Sequence, residues 1–151
     1  MEHSTMYEYE YPRPALTADI VVFSNDPTGH PTLLLIRRKN QPFAGRWALP
    51  GGFVDEGETA EEAARRELKE ETSLNARGKQ MTAVGLYDTP GRDPRGWTVS
   101  AAYAMRVAGE PTAIAQDDAS EVQWHRLDSL PQLAFDHAQI IADAVKATHI
   151  N

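Results

Sequence analysis

Apolar residues fall in short runs through the first third of the chain. Residues 20–23 and 33–36 are such runs, separated by an Asp-Pro pair and a glycine, and together they predict a β-hairpin. Before them, residues 1–17 (with Tyr7, Tyr9, Tyr11, Pro12, Arg13 and Pro14) have no period and read as an extended arm. Residues 40–46 read as a loop and 47–50 as a short extended piece. Gly51 and Gly52 then read as a flexible turn into a loop that runs through Gly57. The pattern changes at 59–72, which has no Gly or Pro and is rich in Ala, Glu, Arg and Leu, so it predicts a helix. Thr59 and Glu62 have the spacing of a capping box at its start. Further on, 84–87 reads as a strand and 89–96 as a polar loop. Val99, Ala101, Tyr103, Met105 and Val107 then alternate with polar or small residues, the period of a strand with one buried face. Residues 122–125 predict another strand. Asp136 is placed to cap a last helix whose Ala138, Ile141, Ala142 and Val145 form one apolar stripe.

The order strands, helix, strands, helix predicts an α/β (α+β) fold, a mixed sheet covered by helices. The 151 residues show no repeat, low-complexity stretch or linker, which suits a single domain spanning 1–151.

Composition narrows the function. No cysteine is present, which excludes disulfides, thiol nucleophiles and thiolate metal sites. No apolar run is long enough to span a membrane, and the N-terminus lacks a basic start followed by an apolar stretch, so the expectation is a cytoplasmic protein with no membrane partner. The formal net charge of -7 gives no general attraction to nucleic acid, and no nucleic-acid partner is expected. If such a protein handles phosphate, it must neutralise it locally, with a metal or a few placed arginines.

The predicted first helix carries Glu67, Glu70 and Glu71 at i, i+3 and i+4, so three carboxylates share one face and repel each other. A divalent cation would remove that repulsion, and a hard cation such as Mg²⁺ takes carboxylate oxygens. The alternative is a solvated charged face, since Glu61 with Arg65 and Glu62 with Arg66 are ordinary i, i+4 pairs.

The segment from Gly52 to Leu74 resembles the Nudix box: a glycine, five residues, a glutamate, seven residues, then Arg-Glu-aliphatic-any-Glu-Glu-any-Gly-aliphatic. Gly52, Glu58, Arg66, Glu67, Leu68, Glu70, Glu71 and Leu74 fall in register, and Ser73 stands where the family usually has glycine. The resemblance implies a loop-helix-loop on an α/β/α sandwich that hydrolyses a diphosphate with Mg²⁺, for which Mn²⁺ can substitute. It implies Glu67, Glu70 and Glu71 as metal-binding carboxylates, with the carbonyl of Gly51 as a further ligand, and Gly52, Glu58 and Arg66 as structural residues. A carboxylate takes the proton from the attacking water. Glu70 and Glu71 are candidates inside the box. Outside it stands Glu121, just before the strand expected at 122–125, where a solvated loop carboxylate fits equally well. Asp117 and Asp118 are weaker candidates.

Three further segments, 43–50, 90–96 and 133–137, resemble the ADP-ribose pyrophosphatase-like branch of that family, which includes the Nudix domains of bacterial NAD-metabolism regulators and of NMN adenylyltransferase fusions. This implies hydrolysis of ADP-ribose to AMP and ribose 5-phosphate. Arg37, Arg46, Arg92 and Arg95 are the candidate substrate-binding cations; the alternative for the loop is that Asp93 bridges its own arginines. Trp47 reads as core, with Trp97 and Tyr103 better placed for stacking. His137 fits either a substrate contact or a cap beside Asp136. Two other readings stay open. One is a broader NDP-sugar or NTP pyrophosphatase. The other is a non-catalytic ADP-ribose sensor, against which the intact glutamates and the acidic charge weigh. A homodimer reached by the Tyr-rich arm is a further expectation of the resemblance.

Overall fold

A computed structural model describes residues 6–150. The element order is β1 (Ala15–Asn25), β2 (Pro31–Arg38), β3 (Trp47–Ala48), β4 (Gly51–Phe53), α1 (Ala60–Thr72), β5 (Thr82–Tyr87), β6 (Thr98–Arg106), β7 (Ala119–Arg126), a short 3-10 turn (Leu127–Ser129) and α2 (His137–Thr148). Among these, neither helix is long and apolar enough to cross a membrane. Residues 1–5 of the expected arm lie outside the described residues. Residues 15–17 of that arm belong to β1.

The strands form one mixed sheet in the order β3-β2-β1-β6-β5, with β4 added on β1 and β7 on β2. β1 is its axis. It runs parallel to β6 from Ala15↔Thr98 to Phe23↔Arg106, and on its other edge it pairs antiparallel with β4 through its first half and with β2 through its second. Alternation along a strand sends successive side chains to opposite faces. Ala18, Ile20 and Val22 of β1, with Leu34 of β2, pack with Ala63, Ala64 and Leu68 of α1. Val21 and Phe23, with Leu33 and Leu35, pack with Ile140, Ile141 and Ala144 of α2. Both faces are covered, giving the expected α/β/α sandwich.

Covered faces explain where the sequence pattern misled. β6 is buried on both sides. Thr98, Ser100, Ala102 and Ala104 lie deeper than Val99, Ala101 and Tyr103, because small residues are what fit beneath α2. The inward face of α2 is His137, Ile140, Ile141 and Ala144, so the stripe is turned by about one residue and Ala138 and Ala142 are exposed. Asp136 makes no side-chain cap, because its carboxylate is held elsewhere. Gly51 and Gly52 are not a flexible turn. They form β4, with Gly51 opposite Asp19 and Gly52 opposite Ala18.

Candidate active site

β4 and α1 meet at the acidic face. Thr59 caps α1, its hydroxyl accepting from the Glu62 amide at 3.1 Å and donating to the Glu62 carboxylate at 3.0 Å. At the other end Ser73 takes the left-handed conformation (φ 67) that glycine adopts without cost. Its hydroxyl donates to the Ile114 carbonyl at 3.2 Å, which offsets part of that strain. The amides of Ile114 and Gln116 donate to the carbonyls of Thr72 and Glu71, satisfying two acceptors that a helix end leaves open. This hook brings Asp117 and Asp118 beside the acidic helix.

The three box glutamates have different surroundings. Glu71 is 3% exposed, and its Oε1 accepts from the Gly51 amide at 2.8 Å. Burial holds its carboxyl well above the usual range, and the charges of Glu67, Asp118 and Asp19 add to the rise against the lowering by the Gly51 amide. Glu67 is pushed up to about 7, again chiefly by burial, with Glu70 and Asp117 adding repulsion and Arg66 opposing it. Glu70 is exposed at the rim.

Arg66 organises the group. Its Nε and Nη2 bind the Glu58 carboxylate at 2.7 and 3.0 Å, its Nη1 reaches Glu67 at 2.7 Å and Glu70 at 3.2 Å, and Nη2 also donates to the Phe53 carbonyl at 3.0 Å. Glu58 accepts the Asp55 amide as well, so it locks the turn before α1. The hydrogen bonds that the lone i, i+4 pair of Glu62 and Arg66 would make are absent among the described residues. Gly52 has a separate reason: a β-carbon there would stand 2.6 Å from Glu67 Cδ.

As the side chains stand, no three acids or histidines among the described residues close into a cation cage. The donor set nevertheless suits a hard divalent cation. Two carboxylates whose ionised form is disfavoured by burial and by neighbouring acids (Glu70 and Asp117 for Glu67; Glu67, Asp118 and Asp19 for Glu71), with a third at the rim, provide oxygen donors alone.

Arginines line the same cleft as these carboxylates. The glutamates share a cleft of about 530 Å³ with Arg38, Arg95, Asp117 and Asp118. A smaller recess of about 50 Å³ continues past Glu71 to Asp19, Arg92, Asp93, Phe135 and His137. Of the predicted cations, Arg95 reaches the cleft, with its guanidinium 5.0 Å from the Phe53 ring centre and its Nη2 on Asp93 at 2.7 Å. Arg92 lines the recess, but its fork is closed on Asp136 at 2.6 and 2.8 Å. Arg46 is exposed over Phe43. Arg37 and Glu121 are brought together, facing each other across β2 and β7 with an ion pair at 3.0 Å between half-exposed side chains. Neither lines the cleft or the recess. Trp97 is exposed, while Trp47 packs edge-on against His125 in the core.

Sequence reasoning missed Asp19; of the adjacent Arg37 and Arg38, one expected toward substrate and one toward solvent, it chose Arg37, whereas Arg38 is the one that lines the cleft. Asp19 is 6% exposed, accepts the Ser100 hydroxyl at 2.5 Å and lies 3.6 Å from His137 Nε2. His137 Nδ1 accepts the Leu49 amide at 3.0 Å, which leaves the proton on Nε2, toward Asp19. A carboxylate opening an apolar run was the available signal for Asp19. For Arg38 it was strand alternation, which sends adjacent Arg37 and Arg38 to opposite faces.

Comparison with known proteins agrees with this geometry. The family described as NUDIX domain matches residues 13–144. An ADP-ribose pyrophosphatase of Methanocaldococcus jannaschii is 45% identical over 90% of this chain and 76% of its own length. The NUDIX domain of Shewanella oneidensis NrtR, solved with ADP ribose, superposes with a TM-score of 0.83 at 32% identity, covering 93% of this chain and 92% of that one. The same NrtR with a 27mer DNA gives 0.68 at 33% identity, over 87% of this chain and 60% of that one. A bifunctional NMN adenylyltransferase/ADP ribose pyrophosphatase from Francisella tularensis, solved with AMP and a Mn ion, gives 0.78 at 32% identity. There the match covers 91% of this chain and 43% of that one, so this chain spans less than half of the bifunctional protein.

Proposed function

The chain belongs to the NUDIX family, and from that premise we propose that it is a divalent-metal-dependent pyrophosphohydrolase that cleaves ADP-ribose to AMP and ribose 5-phosphate. The observation that carries this is the pair of desolvated carboxylates, Glu67 and Glu71, seated against the two glycines of β4. The archaeal pyrophosphatase and the ADP-ribose complex of the NrtR domain support the choice of substrate.

Glu67, Glu70 and Glu71 hold the cation, with the carbonyl of Gly51 as a further donor. Mg²⁺ is the physiological ion in this reading and Mn²⁺ its substitute, as the Mn ion of the Francisella protein supports. The bound ion supplies neutralisation of the diphosphate charge and a more acidic water. The chain's own residues do the rest. Arg66 keeps Glu67 and Glu70 aimed at the cleft. The Gly51 amide fixes one oxygen of Glu71 and leaves the other for its task. Glu70, open to solvent at the rim, is positioned to take a proton from water and pass it out, and Glu71 is the other candidate base within the box. Glu121 serves as a third only by releasing Arg37, its present partner. Arg92 acts through Asp136, fixing the 89–97 loop to the start of α2 so that Arg95 faces the cleft.

We assign residues 1–151 to one domain, a cytoplasmic location and a small nucleotide as the partner rather than nucleic acid or membrane, in keeping with the acidic charge. A homodimer belongs to the same proposal. The sensor reading has one specific support, the likeness to NrtR. A panel of ADP-ribose, NDP-sugars, dinucleotides and NTPs with Mg²⁺, Mn²⁺ or a chelator decides between them. Turnover of ADP-ribose that stops on chelation is expected. Binding without turnover of any compound favours the sensor.

A further inference from the structure

His137 has no part in the reaction described so far, yet it is buried, 4% exposed, and lines the recess. Its place is set by the chain before it. Residues 132–134 run along β3, with the Trp47 amide donating to the Gln132 carbonyl at 3.4 Å and the Ala134 amide to the Trp47 carbonyl at 2.9 Å. Phe135 then turns the chain in the left-handed conformation (φ 52), and α2 starts at His137. The imidazole is thereby delivered from the α2 layer to the segment between β3 and β4.

That segment carries an amide the sheet does not satisfy. β3 ends at Ala48 and β4 begins at Gly51, so the Leu49 amide lies outside both strands, while Leu49 itself is 2% exposed. A buried amide needs an acceptor. His137 Nδ1 supplies it at 3.0 Å. The next two residues are held as closely. The Pro50 carbonyl accepts the Ile20 amide at 3.0 Å. The Asp19 carboxylate lies against Gly51, where a β-carbon would stand 2.4 Å from Asp19 Oδ1. Asp19 is fixed in turn by the Ser100 hydroxyl and faces His137 Nε2 at 3.6 Å. Three consecutive residues are thus pinned from α2 and β1, and the third is the one whose amide meets Glu71. The kind of acceptor suits the charges around it. A carboxylate in place of the imidazole would add a negative charge beside Asp19, in the recess that Glu71 also lines; a neutral imidazole accepts without one.

We infer that His137 is a positioning residue for the reaction: through the Leu49 amide, with Asp19 and Ser100 behind it, it sets where Gly51 meets Glu71 and the cation. It touches neither substrate nor cation in this role. Its effect on turnover rests on the hydrolase reading; its hold on Gly51 does not.

The test uses the full chain with His137→Leu, His137→Asn and His137→Gln. Two readouts are needed: kcat and KM for ADP-ribose with Mg²⁺, and, in the metal-free protein, NMR hydrogen exchange of the Gly51 amide against that of Val21 inside the β1–β6 ladder. In His137→Leu, kcat falls by roughly 10- to 100-fold while KM stays near wild type, as for a small misplacement of reacting groups. Gly51 exchange quickens by about tenfold or more, and Val21 exchange is unchanged. His137→Asn, whose side-chain oxygen takes the place of Nδ1, keeps the Leu49 bond and restores both. His137→Gln carries its oxygen one bond further out and restores neither; set against His137→Asn, it carries the test should the leucine variant fail to fold. Wild-type kcat or wild-type Gly51 exchange in His137→Leu overturns the inference. Equal quickening at Val21 and Gly51 does so too, since it marks a loosening of the whole sheet, as do equal constants in the asparagine and glutamine variants. Wild-type protein that cleaves no ADP-ribose sinks the hydrolase reading alone, and Gly51 exchange then decides whether His137 holds the segment.

Discussion

The carboxylate of Glu67 lies directly against the α-carbon of Gly52, leaving no space for a side chain: a β-carbon would stand 2.8 Å from each of its oxygens. Glycine at this place is a matter of volume, since its backbone lies in an ordinary strand. Gly52→Ala therefore pushes Glu67 out of position. The atoms met are the far end of a flexible side chain, so the shift costs little stability and the melting temperature stays near that of wild type, while kcat falls at least about tenfold. An alanine variant with wild-type kcat would show that the placement of Glu67 does not matter to turnover.

Glu71→Gln separates stability from catalysis. The glutamine oxygen can still accept the Gly51 amide, and the change removes a buried charge whose ionised form is disfavoured. The variant folds with a melting temperature equal to or above that of wild type. Its turnover falls by on the order of 10²- to 10³-fold or more, the scale seen when one electrostatic partner of a transition state is lost. Steady-state kinetics beside a thermal melt checks both halves.

Arg66 answers to five groups, the carboxylates of Glu58, Glu67, Glu70 and Asp55 and the Phe53 carbonyl, so lysine cannot replace it. Arg66→Lys loses the paired contact to Glu58 and the bond to the Phe53 carbonyl. It is expected to destabilise the protein by about 1–3 kcal/mol, the range for charged hydrogen bonds. A double-mutant cycle with Glu58→Gln should return a coupling of at least about 0.5 kcal/mol; strict additivity would argue against the pair.

His137 gives a pH dependence. Burial lowers its pKa, so the folded state holds it neutral while the unfolded chain titrates near 6.5. Below that value the unfolded state binds a proton the folded state refuses, and stability is lost as pH falls. Glu67 acts in the opposite sense, its raised value near 7 favouring the folded protein at lower pH. The difference between wild type and His137→Gln isolates the histidine. The melting temperature of wild type should drop relative to that variant as pH goes from about 7 to 5.5. A constant difference would place the imidazole in contact with solvent.

The chemistry-bearing helix was legible because its spacing is periodic and its residue types are fixed by function. Thr59, Glu62, Arg66 and the three glutamates needed no knowledge of the sheet. What remained hidden is set by tertiary pairing. The direction of the Arg37–Arg38 pair depends on which face of β2 meets the cleft. The role of Asp136 was taken by Arg92 from a loop 44 residues away. β4 looked like a turn because two glycines suit one, and only the close approach of β1 and Glu67 reveals why they are flat. On β6 the small residues are the buried ones, since a sheet covered on both sides no longer advertises its core by side-chain size.

The parallel pairing of β1 with β6 also has a kinetic consequence. Its register joins Ala15 to Thr98, so the hairpin, α1 and β5 must all be looped out before the ladder can close. Such non-local pairing slows folding, whereas a capped helix forms from its own neighbours. In this order of events α1 acquires its row of acids early, as a bare charged surface. Glu71 gains its Gly51 amide only once β4 has docked along β1. Recovery of catalysis on refolding should then lag behind recovery of helical ellipticity, making enzymatic activity a late reporter of chain assembly.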